Sequence, residues 1–93
     1  MDIIDDYIDY VRDVRRYSER TASIYEEVLN DYLVYVSRQS PVTSDKGFAE
    51  AVNVSEIREY MVHMMDERMM SARTVNLHLS SLSGFCRYLM KRG

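Results

Sequence analysis

Ser71-Ala72-Arg73-Thr74-Val75-Asn76-Leu77-His78-Leu79-Ser80-Ser81-Leu82-Ser83-Gly84-Phe85-Cys86-Arg87-Tyr88-Leu89 is the stretch on which the fold turns. Val75, Leu79, Leu82, Phe85, Cys86 and Leu89 recur at three- and four-residue spacing, the signature of one apolar helix face. Ser71 is placed to cap its start, and Lys91 and Arg92 put cations in its last turn, with Gly93 as a stop. The spacing predicts a helix over about residues 72–91. Fifty-three residues earlier, Ser18-Glu19-Arg20-Thr21 opens a second stretch of the same kind. Tyr25 aligns with His78, Leu29 with Leu82, Tyr32 with Phe85 and Val36 with Leu89, without a gap. Two helices built alike, over about 19–38 and 72–91, call for two antiparallel helical hairpins.

The partners of those helices are legible on either side. Ile4, Tyr7, Ile8, Val11 and Val14 form an amphipathic stripe over about 2–16, with acids early and Arg15-Arg16 late, as the helix dipole favours. Ile57, Tyr60, Met61, Met64 and Met65 form another over about 55–68, with Ser55 as its cap. Methionines in such a stripe either fill a core or line an adaptable groove; they are read here as core. Residues 39–47, holding the single proline and an Asp45-Lys46-Gly47 turn signal, read as the one long loop, with a short helical turn at 48–52. The fold class is all-α, a four-helix bundle of two hairpins in a single domain, 1–93.

Composition agrees with a folded helical chain. Hydrophobic residues make up 46% of 93 positions, with eight tyrosines, three glycines and one proline, so breakers are too few for a sandwich or barrel. The lone Cys86 cannot form an internal disulfide and sits on the apolar side of its helix, which reads as a small buried side chain in a reducing, cytoplasmic setting. No apolar run is long enough for a membrane span and the acidic start lacks a signal-peptide pattern, so no membrane partner is expected.

Net charge is −3, but it is unevenly spread. Residues 1–53 carry six basic and eleven acidic side chains, a net of −5, and residues 54–93 carry six and four, a net of +2. From Ser71 onward there are four cations and no acid. At 100° per residue, Arg73, Asn76, Ser80, Ser83, Arg87 and Lys91 share one side of the last helix, opposite its apolar stripe. Short serines allow a groove wall to approach, asparagine can pair with an adenine edge, and arginine reaches phosphate or guanine. The same side of the helix over 19–38 carries Arg20, Ser23, Glu27, Asn30 and Arg38. A merely solvated face has a similar composition, so the stripe also fits a helical protein-interaction domain whose acidic half meets a partner. No glycine-rich phosphate loop, metal motif or nucleophile beside a base occurs, so no catalytic residue, metal or cofactor is assigned. His78 on the apolar side reads as a half-buried core histidine, and His63 lacks a partner at ligand spacing.

Arg16-Tyr17-Ser18-Glu19-Arg20-Thr21-Ala22-Ser23-Ile24-Tyr25, followed by Leu29 and Leu33, resembles the Ser-x-x-Thr-x-x-x-Tyr-x-x-x-Leu signature of core-binding domains in tyrosine recombinases of the phage-integrase and Xer type. The stretch from Met70 to Gly93 is similar to the last helix of that domain. The resemblance implies a SAM-like core-binding domain that holds double-stranded DNA on the side opposite a catalytic domain of the same parent chain, with neighbouring protomers on the DNA as further partners. It implies a module that is not itself an enzyme, a fragment ending where an interdomain linker begins. Carried over to this sequence, the implied DNA-contacting positions are Arg20, Ser23, Arg73, Asn76, Ser80, Arg87 and Lys91, with Thr21 and Thr74 near the DNA backbone. Family members commonly carry basic residues where this chain has Leu77, His78 and Ser83, which implies weaker intrinsic affinity.

Overall fold

The computed structural model describes residues 1–92 and is helical throughout, with helices α1 (Asp2–Asp13), α2 (Glu19–Ser37), α3 (Asp45–Ala51), α4 (Val54–Asp66) and α5 (Ala72–Arg92). The four long helices make two hairpins, α1 on α2 and α4 on α5, and α2 packs against α5 to join them. The stop expected at Gly93 lies outside the described residues.

Each hairpin turn is closed by local chemistry. Ser18 accepts from the Thr21 N–H at 3.2 Å and Ser71 from the Thr74 N–H at 3.2 Å, the serine caps foreseen for these helices. The preceding helix ends are also alike. Arg16 (φ 58°) and Met69 (φ 51°) both take the left-handed conformation, and each turn is bonded back to its helix, Tyr17 N–H to Val11 C=O at 2.9 Å and Met70 N–H to Met64 C=O at 3.0 Å. The first helix therefore ends three residues short of its expected limit. Val14 points to solvent, 66% exposed, and does not continue the apolar stripe, while Arg15 and Arg16 lie beyond the last helical turn.

Two other helix starts differ from those the sequence predicts. Asn53, not Ser55, caps α4, accepting from the Glu56 N–H at 3.0 Å. The Asp45-Lys46-Gly47 segment opens α3 and is not a turn: Ser44 accepts from the Gly47 N–H at 3.0 Å, and Asp45 accepts from the Ile3 N–H at 3.2 Å. Phe48 on α3 is fully buried between Tyr32 and Phe85, and Tyr32 donates to the Ala51 C=O at 2.7 Å, so α3 plugs the bundle where its two hairpins meet.

The offset of 53 extends through the whole hairpin. Buried Ile4, Tyr7 and Val11 of α1 correspond to buried Ile57, Tyr60 and Met64 of α4. The contacts between hairpins are reciprocal. Tyr7 meets Phe85 at 5.2 Å and Tyr88 at 5.2 Å, while Tyr60 meets Tyr32 at 5.1 Å and Tyr35 at 4.9 Å. Tyr10 on Tyr88 and His63 on Tyr35 have the same spacing and tilt, 5.0 Å and 42°. Reciprocity of this kind is the mark of an approximate two-fold relation, here between two halves of one chain. Each half contributes an aromatic cluster to the shared core, and burial of such rings dominates the stability of so small a domain.

Candidate nucleic-acid interface

The two helices that carry the candidate residues are thus also the two that pack together across the approximate two-fold. On α5, Arg73, Asn76, Ser80, Arg87 and Lys91 are all exposed, and so are Arg20 and Ser23 on α2. Arg73, Ser80 and Arg87 follow one another at seven-residue steps, about 10 Å apart along the axis, which lays a cation, a hydroxyl and a cation along one line. Ser83 departs from that line. It is half-buried and lines a groove on the α4 side of the helix.

Arg20 and Arg73 stand in the first turns of α2 and α5, where the helix dipole is positive and a cation is disfavoured by about 0.3–1 kcal/mol. Neither has a carboxylate within ion-pair distance among the described residues. Such a placement concentrates positive potential at each helix start and suits an anionic partner. Thr21 and Thr74 sit beside these arginines, but their hydroxyls bond the capping serines at 3.0 Å and 3.1 Å, so their first role is to hold the helix starts. On α2 the potential is diluted. Glu19 pairs with Arg12 at 3.1 Å, Glu27 is exposed, and Asn30 bonds back to the Glu26 C=O at 3.0 Å.

Between the helices, Ile24, Glu27 and Asp31 of α2 face Leu77 and His78 of α5 across a shallow cavity that also touches Arg68. Asp31 accepts a short bond from the Tyr60 hydroxyl and pairs with Arg68 at 2.7 Å. Burial alone raises the pKa of this carboxyl, but the bonds from Tyr60 and Arg68 outweigh it and hold Asp31 below the usual carboxylate range. His78 is buried with its Nδ1 3.3 Å from the Tyr60 oxygen, and burial lowers its pKa despite the nearby Asp31. It is a core histidine, as its position on the apolar face implied.

The opposite side of α5 carries a wide opening. Val54, Ile57, Met61, Val62, Leu79 and Met90 surround an apolar groove of about 880 Å³ between α4 and α5. Met64 is fully buried, but Met65 is 54% exposed at the groove edge, so the methionine stripe divides between core and open surface where the sequence reads as core throughout. Cys86 borders the groove half-buried, and burial pushes its thiol pKa up, away from reactivity at neutral pH. Among the described residues, no three His, Cys, Asp or Glu side chains are grouped to hold a metal ion, and no helix is long and apolar enough to cross a membrane.

Neither Arg15 nor Arg16 lies in the last turn of α1, and the two differ in surroundings from the helix end expected for them. Arg15 is not a helical residue complementing the α1 dipole; it leans on Tyr17, its guanidinium 5.7 Å from the ring centre, beside Arg87 and Lys91 of α5. The signal that exposes it is the offset of 53, which pairs Arg15 with Arg68.

Residues 4–93 match the family model described as the phage integrase N-terminal SAM-like domain. A tyrosine recombinase XerC from Listeria innocua serovar 6a (strain ATCC BAA-680 / CLIP 11262) is 27% identical over 85 residues, which is 91% of this chain and 26% of that protein. The chain thus spans about a quarter of the length of the curated relative it matches. No solved structure matches.

Proposed function

The chain belongs to the phage integrase N-terminal SAM-like domain family, and from that premise we propose that it is the DNA-gripping module of a site-specific tyrosine recombinase. The observation that carries the reading is the exposed line of Arg73, Ser80 and Arg87 on α5, whose arginines pair with no carboxylate among the described residues, with Arg20 at the equivalent helix start on α2. Phosphate contacts from Arg20, Arg73, Arg87 and Lys91 set position, and Ser23, Asn76 and Ser80 face base edges in the major groove. The chemistry of strand exchange belongs to a catalytic domain elsewhere in the parent protein, on the far side of the duplex, and the module supplies grip and register during integration or recombination.

The test is paired charge reversal. Arg73→Glu with Arg87→Glu abolishes binding to a duplex while circular dichroism is unchanged and the melting temperature does not fall, because both side chains are exposed, neither pairs with a carboxylate among the described residues, and an acid in the first turn of α5 suits the helix dipole. Unchanged DNA binding by the double variant sinks the reading.

A second reading, a helical protein-interaction domain, is favoured by the apolar groove between α4 and α5. At the positions equivalent by the offset of 53, the first hairpin carries Asp9, Arg12 and Glu26 where the groove has Val62, Met65 and Leu79, so the fold itself does not require an apolar surface there. Neighbouring protomers and the parent's own catalytic domain are the protein partners of this reading. Retention of DNA binding under charge reversal, with loss of self-association in Met65→Glu, supports it over the first.

A further inference from the structure

Arg15 and Arg68 occupy the same place in the two hairpin turns, one residue before the left-handed residue. Their surroundings differ. Arg68 is neutralised by Asp31 of α2 at 2.7 Å, which ties the α4–α5 turn to the opposite hairpin. The residue equivalent to Asp31 is Gly84 of α5, so Arg15 meets no carboxylate there. Tyr7 fills the space: a Cβ built on Gly84 lies 2.6 Å from its hydroxyl oxygen, and the Arg87 guanidinium lies 3.9 Å from the same point. Where the first site has a carboxylate and one arginine, the second brings Arg15, Arg87 and Lys91 around a notch walled by Tyr10, Tyr17 and Tyr88. No acidic residue lines that notch, and among the described residues none pairs with its three cations.

We propose that this notch is a phosphate-binding site that clamps one phosphodiester of the DNA backbone, with Arg15 of the α1–α2 turn and Arg87 and Lys91 of α5 as its cations. The volume of about 30 Å³ admits an oxygen of an oxyanion and excludes a base or a bulky organic ligand. Two planar guanidiniums suit the paired oxygens of a phosphate, and the tyrosine hydroxyls add neutral donors. Tyr25 reports the same convergence: burial and Tyr17 raise its pKa, and both Arg87 and Arg15 oppose that rise. The notch couples the two hairpins on an anion supplied by the ligand, as Asp31 couples them on an anion supplied by the chain.

The inference rests on the DNA-gripping reading, and two measurements separate their failures. In the first, inorganic phosphate is titrated into the chain while the arginine Nε–Hε resonances are followed by NMR. Saturable shifts at Arg15 and Arg87, with Arg68 unmoved, are expected; equal small shifts at every arginine overturn the site. In the second, the slope of log affinity against log salt is measured for a duplex. Arg15→Gln lowers its magnitude by about one, and Arg68→Gln, removing a cation already paired, leaves it unchanged. A slope untouched by Arg15→Gln but reduced by Arg73→Glu overturns the notch and leaves the DNA reading standing. Absence of any DNA binding by the wild-type chain overturns both.

Discussion

The two hairpins share a backbone plan and differ in what they do with it. Both have the same serine cap, the same left-handed residue at the helix end and the same buried tyrosine on the first helix, Tyr7 or Tyr60. The first hairpin carries most of the acid, and one of its carboxylates, Asp31, is spent internally on Tyr60 and Arg68. In the second, α5 carries no acid at all, and glycine stands at the equivalent position. Duplicated positions that agree report what the fold requires, and those that disagree report where function or assembly has room to act.

The core is the strongest test of equivalence. Tyr32→Ala and Phe85→Ala remove corresponding rings, each fully buried, and each is expected to cost about 3–5 kcal/mol in urea unfolding. A large loss from one and a small loss from the other breaks the two-fold account of the core. Next comes the position where the halves diverge. Asp31→Asn weakens charge-assisted bonds to Tyr60 and Arg68 and costs about 1–2 kcal/mol, the partial exposure of the pair keeping it below the range of a buried one. The loss should vanish when Arg68→Gln and Tyr60→Phe are already present; additivity instead removes the network from the account.

A smaller effect tests the turns. Arg16→Gly and Met69→Gly relieve a side chain held at positive φ, and each is expected to stabilise by about 0.5–1 kcal/mol, read as matched rises in melting temperature. Smallest is the pH response of His78, the buried histidine of α5, which has Tyr25 as its counterpart. Burial depresses the His78 pKa, so the native state resists a proton that the unfolded chain accepts near the ordinary histidine value of about 6.5. Its contribution is complete above that pH and is lost as pH falls below it. Asp31, also depressed, adds its own loss only in the lower carboxylate range. His78→Gln should flatten the first step and leave the second.

Much of this plan was legible from residue spacing. Ser18 and Ser71 with their flanking threonines announce two helix starts, and the period of Leu29, Tyr32, Leu82 and Phe85 announces the faces they bury. The relation of the first and third long helices was not, because Ile8 corresponds to Met61, Val11 to Met64 and Tyr10 to His63, substitutions that keep an apolar or aromatic side chain and lose identity. The short α3 was hidden for a different reason: Asp45-Lys46-Gly47 has turn composition, and only the Ser44 cap and the buried Phe48 make it helical. Of the candidate site, the exposed stripe on α5 follows from the helical wheel, whereas Arg15 shows only through the offset of 53, because the turn after Asp13 is a backbone event that helical periodicity does not encode. The apolar groove is likewise hidden in the sequence, because a methionine stripe looks the same whether or not another element covers it.

Although the chain is acidic overall, its α5 face is basic, and the proposed grip on DNA runs through that face. It is tested most directly by fluorescence anisotropy of a labelled duplex of about 30 base pairs, titrated with the wild-type chain at low and moderate salt. Binding that weakens steeply as salt rises, and disappears when Arg73 and Arg87 are both replaced by glutamate, is the predicted result. Failure to bind at low salt, or binding indifferent to those two arginines, contradicts it.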